Sequence, residues 1–156
     1  MELKAFNEFL YLHKILPFKE NEKWKKITTE YKFKTREELK VHNKEIGRKL
    51  KEFGFNKGLY IYVNSKSEIL YIGKGVNKGK GILERIKSYS EKACIEDYVP
   101  KRKRHENLMN LFRTNFGEIS IFVYNIENEY EAIAIEAMLT RVLDPLYVDK
   151  YLQNNF

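Results

Sequence analysis

Residues Gly58–Gly75, GLYIYVNSKSEILYIGKG, contain two short runs, Leu59–Val63 and Ile69–Ile72, rich in β-branched and aromatic side chains. Only the polar segment Asn64–Glu68 separates them. So short a connection joins antiparallel neighbours, because parallel strands need a crossover of about a dozen residues or more. The stretch is therefore expected to be a β-hairpin. Gly58-Leu59-Tyr60 lies on one run and Tyr71-Ile72-Gly73 on the other, with Lys74 and Gly75 following at once. Pairing the two runs brings two tyrosines and a lysine to one end of the hairpin. Core packing is the ordinary use of strand tyrosines, so the hairpin alone assigns no chemistry.

The rest of the chain is read around it. Leu3, Phe6, Leu10 and His13 recur at helical spacing, which predicts a helix over residues 2–15 that ends near Pro17. Residues 18–34 give no clear period. Thr35-Arg36-Glu37-Glu38 fits a capping box, Leu39, Ile46, Leu50 and Phe53 form an apolar stripe, and Gly54 stands at the expected stop. A helix over 36–53 follows, with Lys40, Lys44, Arg48, Lys49 and Lys51 on its outer face. That face reads as solvated or as DNA-facing. Beyond the hairpin, Val76–Gly81 reads as a Gly/Lys loop. Ile82, Leu83, Ile86 and Tyr89 mark a helix of about ten residues, and another is expected over 105–115. Ile119, Ile121 and Val123 alternate as in a strand, and a last helix runs from about Tyr130 to Leu143.

From residue 58 the order is β-β-α-α-β-α, which points to an α+β fold: a small three-stranded antiparallel sheet flanked by helices. Residues 1–57 read as a basic, helical N-terminal extension and residues 58–156 as the domain proper. A Rossmann or P-loop reading fails, because Gly73-Lys74-Gly75 is too short for the Walker pattern and no strand–loop–helix crossover surrounds it.

Charge narrows the partner. The net charge is +7. Residues 1–57 carry 15 Lys/Arg against 9 Asp/Glu, and residues 74–113 carry 11 against 5, whereas residues 114–156 are acidic. Two basic segments of this kind suit a polyanion. No apolar run approaches the length of a membrane span, so no membrane partner is expected. The N-terminus does not read as a signal peptide, and the lone Cys94 excludes an intramolecular disulfide and a cysteine zinc site. A reduced, cytoplasmic setting is the default.

Glu136 is the oddest residue. It interrupts the apolar run Ala132-Ile133-Ala134-Ile135-Glu136-Ala137-Met138-Leu139. A carboxylate buried there costs several kcal/mol unless it finds a partner. A metal ion, a cation such as Arg85, or solvent at the helix edge would each serve. Arg85 borders an apolar helix face, where its planar fork suits either a phosphate or a salt bridge. Tyr89 lies four residues on, one turn away on the same face. His13, His42 and His105 share no metal-ligand spacing, and no Ser or Cys stands in a nucleophile context.

Together these residues resemble the GIY-YIG nuclease family. Gly58-Leu59-Tyr60, ten intervening residues, and Tyr71-Ile72-Gly73 match its signature, with Leu59 in place of the usual Ile. Lys74 follows directly, as in the nuclease half of the bacterial excision-repair incision subunit. Arg85 and Tyr89 are similar to the family's helix motif, and Glu136 to its metal-binding Glu ahead of a later proline, here Pro145. The match covers about 58–148. The loop before Arg85 is longer than in compact members, 93–117 reads as an insertion, and Val148 stands where many members carry an Asn.

The resemblance implies a metal-dependent DNA endonuclease that hydrolyses phosphodiester bonds. Tyr60, Tyr71, Lys74, Arg85, Tyr89 and Glu136 would form the catalytic set. Glu136 would hold one Mg²⁺ or Mn²⁺ per site. Tyr60 would help take a proton from water, its hydroxyl made more acidic by Lys74 or the metal. Lys78, Lys80, Lys87, Lys101, Arg102, Lys103 and Arg104 are the expected nucleic-acid contacts. The choice of DNA over RNA rests on the family alone. One site cuts one strand per event, so double-strand cleavage calls for a homodimer or two encounters. Restriction, repair or junction-processing, and mobile-element roles all fit. The rival reading is a non-catalytic nucleic-acid-binding module that keeps the fold.

Overall fold

A computed structural model of the chain describes residues 3–77, 79–94, 103–115 and 117–148. Its elements run α1 (Leu3–Leu12), β1 (Trp24–Glu30), α2 (Arg36–Phe53), β2 (Gly58–Asn64), β3 (Ile69–Asn77), β4 (Lys80–Gly81), α3 (Ile82–Cys94), α4 (Lys103–Thr114), β5 (Glu118–Asn125) and α5 (Glu129–Leu143). The strands form an antiparallel sheet in the order β1-β5-β2-β3-β4. The fold is α+β, with the expected hairpin at its centre.

The sheet has five strands where the sequence pattern predicts three. β1 lies within residues 1–57, expected to be helical, and pairs with β5 along its whole length, from Trp24↔Tyr124 to Glu30↔Glu118. The helical reading of that segment is therefore corrected: α1 and α2 form, with a strand between them. The strand escaped notice because only Trp24 and Ile27 of its seven residues are buried, so it lacks period-two alternation. The second addition, β4, pairs Gly81 with Val76 and Lys80 with Asn77. The expected loop over Val76–Gly81 is instead the end of a longer β3 and a tight return.

Local chemistry explains the framework. Thr35 caps α2, its hydroxyl accepting the Glu38 amide at 3.2 Å. Glu38 reaches back to accept the Lys34 amide at 2.7 Å, one residue further than in the usual capping box. Gly54 closes the helix in the left-handed region. The β2–β3 turn is organised by Asn64, whose side-chain oxygen accepts the amides of Lys66 and Glu68. Gly58 opens β2 at φ 151°, where a Cβ would strike the Tyr124 carbonyl of the neighbouring strand. Only glycine lets β2 and β5 approach there.

Two apolar layers form, one on each face of the sheet. On one side Tyr60, Tyr62, Tyr71, Ile119, Ile121 and Val123 pack beneath α2, α3 and α4. On the other, Leu59, Ile61, Val63, Ile72 and Phe122 meet α1 and α5. A register shift at Tyr62/Val63 lets both Leu70 and Tyr71 join the first layer. After α5 the chain returns to β3, the amides of Leu146 and Tyr147 donating to the carbonyls of Ile69 and Leu70. Among the described residues no helix is long and apolar enough to cross a membrane.

Ile27 is 2% exposed at the middle of β1. Ile27→Ala should lower the unfolding free energy by about 2–4 kcal/mol. Trp24 fluorescence and far-UV circular dichroism should still report one transition in urea. An unchanged midpoint would mean that β1 contributes little to the sheet.

Candidate active site

The strand pleat decides which predicted residues can meet. β2 and β3 are registered Tyr60↔Gly73 and Tyr62↔Tyr71, so these four positions share one face. A Cβ on Gly73 would collide with the Tyr60 ring. The glycine thus lets that ring lie across the strand, and its hydroxyl meets the Tyr89 hydroxyl of α3 at 2.7 Å. Tyr71 completes the cluster edge-to-face with Tyr89, ring centroids 5.6 Å apart at 83°. All three tyrosines are buried. Arg85 stands one turn before Tyr89 on α3. Its Nε is buried with no hydrogen-bond partner among the described residues, which leaves a donor of a permanently charged group unsatisfied.

Lys74 is the next residue along β3 and points to the opposite face, with Ile72 and Val76. There its Nζ lies 3.0 Å from Oε2 of Glu136 on α5. Glu136 is 5% exposed and sits among Ala132, Ile135 and Leu139. The predicted set is therefore gathered as two groups, Tyr60–Tyr71–Tyr89 and Lys74–Glu136, with β3 contributing to both. Leu146–Tyr147 covers one end of β3 and β4 the other. Between them, residues 71–75 border no further strand among those described.

Of the partners that would serve Glu136, the described residues show a cation, and it is Lys74. The signal for it was the alternation Ile72-Lys74-Val76, which puts the lysine on the face that α5 must cover. Lys74 also does not acidify Tyr60. Burial first, then the Tyr89 and Tyr71 hydroxyls, push the Tyr60 hydroxyl well above its ordinary value. Of the expected nucleic-acid contacts, Lys80 on β4 and Lys87 on α3 are exposed. Lys78, Lys101 and Arg102 lie outside the described residues, as do the side chains of Lys103 and Arg104 at the start of α4. On α2, Arg48 is tied to Glu45 and Glu52, which lowers the free positive charge of that face.

The fold and the site define an α+β protein with three buried tyrosines on one face of an antiparallel sheet, an arginine on the helix that packs there, and a Lys–Glu pair on the other face. Over part of its length it is similar to proteins named UvrABC system protein C. The relative from Wolbachia sp. subsp. Drosophila simulans (strain wRi) is 32% identical over 91 residues, 58% of this chain and 12% of the relative. That from Prochlorococcus marinus (strain MIT 9312) is 29% identical over 128 residues, 81% of this chain and 17% of the relative. That from Bdellovibrio bacteriovorus is 30% identical over 103 residues, 66% and 14% of the two chains. The matched stretch is thus a small part of each relative. No protein-family model and no solved structure matches the chain.

Sequence reasoning missed the residues that hold α3. Asn56, just before β2, accepts the Ile82 amide on its carbonyl and the Leu83 amide on its side chain, and donates to Glu84. Further along, His42 of α2 bridges Thr29 of β1, at 3.0 Å from Nδ1, and Ser90 of α3, at 3.2 Å from Nε2. Burial among Tyr31 and Phe33 pulls His42 down from 6.5 to about 4. A lone histidine on a basic helix gives no hint of this.

The depressed His42 makes stability fall with acid. The unfolded chain takes up this proton below about pH 6.5, whereas the folded one refuses it until about pH 4. Stability should drop by on the order of 2–3 kcal/mol between those values, at about 1.4 kcal/mol per pH unit. In urea titrations from pH 7 to 4, His42→Gln should remove that part of the slope. Parallel slopes for both proteins would show that His42 is not held neutral.

Proposed function

We propose that the chain is a metal-dependent endonuclease that hydrolyses phosphodiester bonds in DNA. The observation that carries this reading is the contact of Glu136 with Lys74. It joins the late helix to the hairpin across about 60 residues of sequence, two elements that the GIY-YIG resemblance assigns to one site. The similarity to UvrABC system protein C over this part of the chain supports DNA as the substrate and a repair-type role. The +7 net charge supports a polyanionic partner.

The donor set fits one hard, mostly hydrated ion. Among the described residues no three His, Cys, Asp or Glu side chains gather to hold a metal, which argues against zinc. A single carboxylate is a normal share for Mg²⁺ or Mn²⁺, which keep several waters. Glu136 would hold that ion, and when bound it would stabilise charge on the scissile phosphate and the leaving 3′-oxygen.

The chain's own residues supply the rest. Lys74 balances the Glu136 carboxylate and adds positive charge at the sheet edge. Arg85, with its unsatisfied Nε, would donate to a phosphate oxygen as charge grows there. Tyr60 is a poor base at neutral pH, because its hydroxyl is raised rather than lowered. We assign it a hydrogen-bonding role paired with Tyr89, with Tyr71 holding Tyr89 in place. Water attacks phosphorus, the P–O3′ bond breaks, and the proton ends on the 3′-oxygen. A cytoplasmic enzyme that cuts both strands as a homodimer, or in two encounters, is consistent with one site per chain.

Supercoiled plasmid tests the reading. Nicking should require Mg²⁺ or Mn²⁺ and fall at least about a hundredfold in Glu136→Gln. Metal-independent nicking, or equal nicking by the variant, would sink the mechanism. Binding without cleavage across metals and DNA structures would favour a binding module. Separately, Lys101, Arg102, Lys103 and Arg104 changed together to Ser should weaken DNA binding and flatten its dependence on salt, by about one unit of slope for each phosphate no longer neutralised. An unchanged slope would mean that these charges do not touch the backbone.

A further inference from the structure

α3 carries Arg85 and Tyr89, and it is gripped on either side of them by residues that precede the hairpin. Asn56 binds its first turn through three hydrogen bonds: Ile82 N to Asn56 O at 2.9 Å, Leu83 N to Oδ1 at 2.8 Å, and Nδ2 to Glu84 at 3.1 Å. The second grip is buried. Ser90 Oγ donates to the Ile86 carbonyl at 2.9 Å, so it is left to accept from His42 Nε2 at 3.2 Å; the Tyr31 hydroxyl lies 3.2 Å from the same oxygen and donates to the Tyr62 hydroxyl at 3.5 Å. This places the His42 proton on Nε2 and leaves Nδ1 to accept from the Thr29 hydroxyl at 3.0 Å. The chain Thr29–His42–Ser90–Tyr31 thus closes a loop from β1 through α2 to α3 and back to the residue just past β1. His42, Ser90 and Tyr31 are all buried.

An apolar side chain would fill the His42 site among Tyr31 and Phe33 without the desolvation that a buried polar network carries. What an apolar filler lacks is direction. Hydrogen bonds to one oxygen of α3 fix the helix in rotation and in register, which packing alone does loosely. One turn of slippage would carry Arg85 from its present place and Tyr89 from the Tyr60 hydroxyl.

We propose that His42 and Ser90 are positioning residues, which with Tyr31 and Asn56 lock α3 so that Arg85 and Tyr89 stand where a phosphodiester is cleaved. Residues 29–56 then act as a brace of the active site as well as an extension of the fold. The proposal rests on the nuclease reading for its catalytic consequence and on the hydrogen-bond loop for its structural one.

His42→Phe tests it, because the ring suits the aromatic surroundings while the hydrogen bonds are lost. Ser90→Ala removes the junction by a smaller change, should the first variant fold poorly. Measured well below each variant's Tm, kcat for plasmid nicking should fall about tenfold with the DNA Kd within about twofold. His42→Gln, which keeps a donor to Ser90, should recover most of the rate. Amide exchange over residues 85–91 should quicken in His42→Phe and Ser90→Ala and return toward wild type in His42→Gln. Wild-type kcat in both network variants, or α3 exchange that does not change, would overturn the brace. If the wild-type chain binds DNA and never cuts it, the nuclease reading falls, and the exchange measurement alone decides the brace.

Discussion

A carboxylate inside an apolar helix face has to be neutralised, and α5 meets that demand at Lys74. Glu136 is nearly buried, so an unpaired charge there would oppose docking of the helix by several kcal/mol. The ammonium 3.0 Å away is offered by Lys74 of β3, a partly exposed side chain that reaches into the second layer. The pair therefore fixes how α5 sits against β3. It also concentrates two charges at a sheet edge that is otherwise lined by apolar and aromatic groups.

The pleat of β3 then distributes the chemistry. Tyr71 and Gly73 face α3, and Lys74 faces α5, so consecutive residues serve opposite sides of the sheet. The glycine's role is spatial: its missing side chain is the room in which Tyr60 lies and reaches Tyr89. Between β4 and Leu146–Tyr147 this stretch of edge borders no strand among the described residues. A ligand that touches both groups would approach there. The Arg85 guanidinium on α3, whose buried Nε has no partner among the described residues, is suited to an anion.

Much of this was legible in the sequence where the determinants are local. The Thr35 cap, the apolar stripe and Gly54 marked α2 from Arg36 to Phe53, as found. The hairpin was marked by two runs and a polar turn, and α5 by its apolar run, which placed a helix from about Tyr130 to Leu143 where Glu129–Leu143 is found. What was hidden depends on distant partners. β1 is an edge strand with two buried residues, stabilised by β5 about ninety positions later, so its own pattern carries little. The Lys74–Glu136 contact required knowing which face of β3 meets α5. The His42–Ser90 link required knowing that α2 and α3 share a layer, and neither residue type advertises it. Lys74 as the source of acidity at Tyr60 fell for the same reason, since strand alternation turns the two side chains to opposite faces.

The most direct measurement is the response of backbone amide signals to trace Mn²⁺. If Glu136 and the end of the hairpin form one site, paramagnetic broadening in nitrogen-15 spectra will centre on residues 73–75 and on the α5 turn around Glu136. It will vanish in Glu136→Gln. Broadening scattered over surface carboxylates, or left unchanged by that substitution, would contradict a metal site shared by the hairpin and α5.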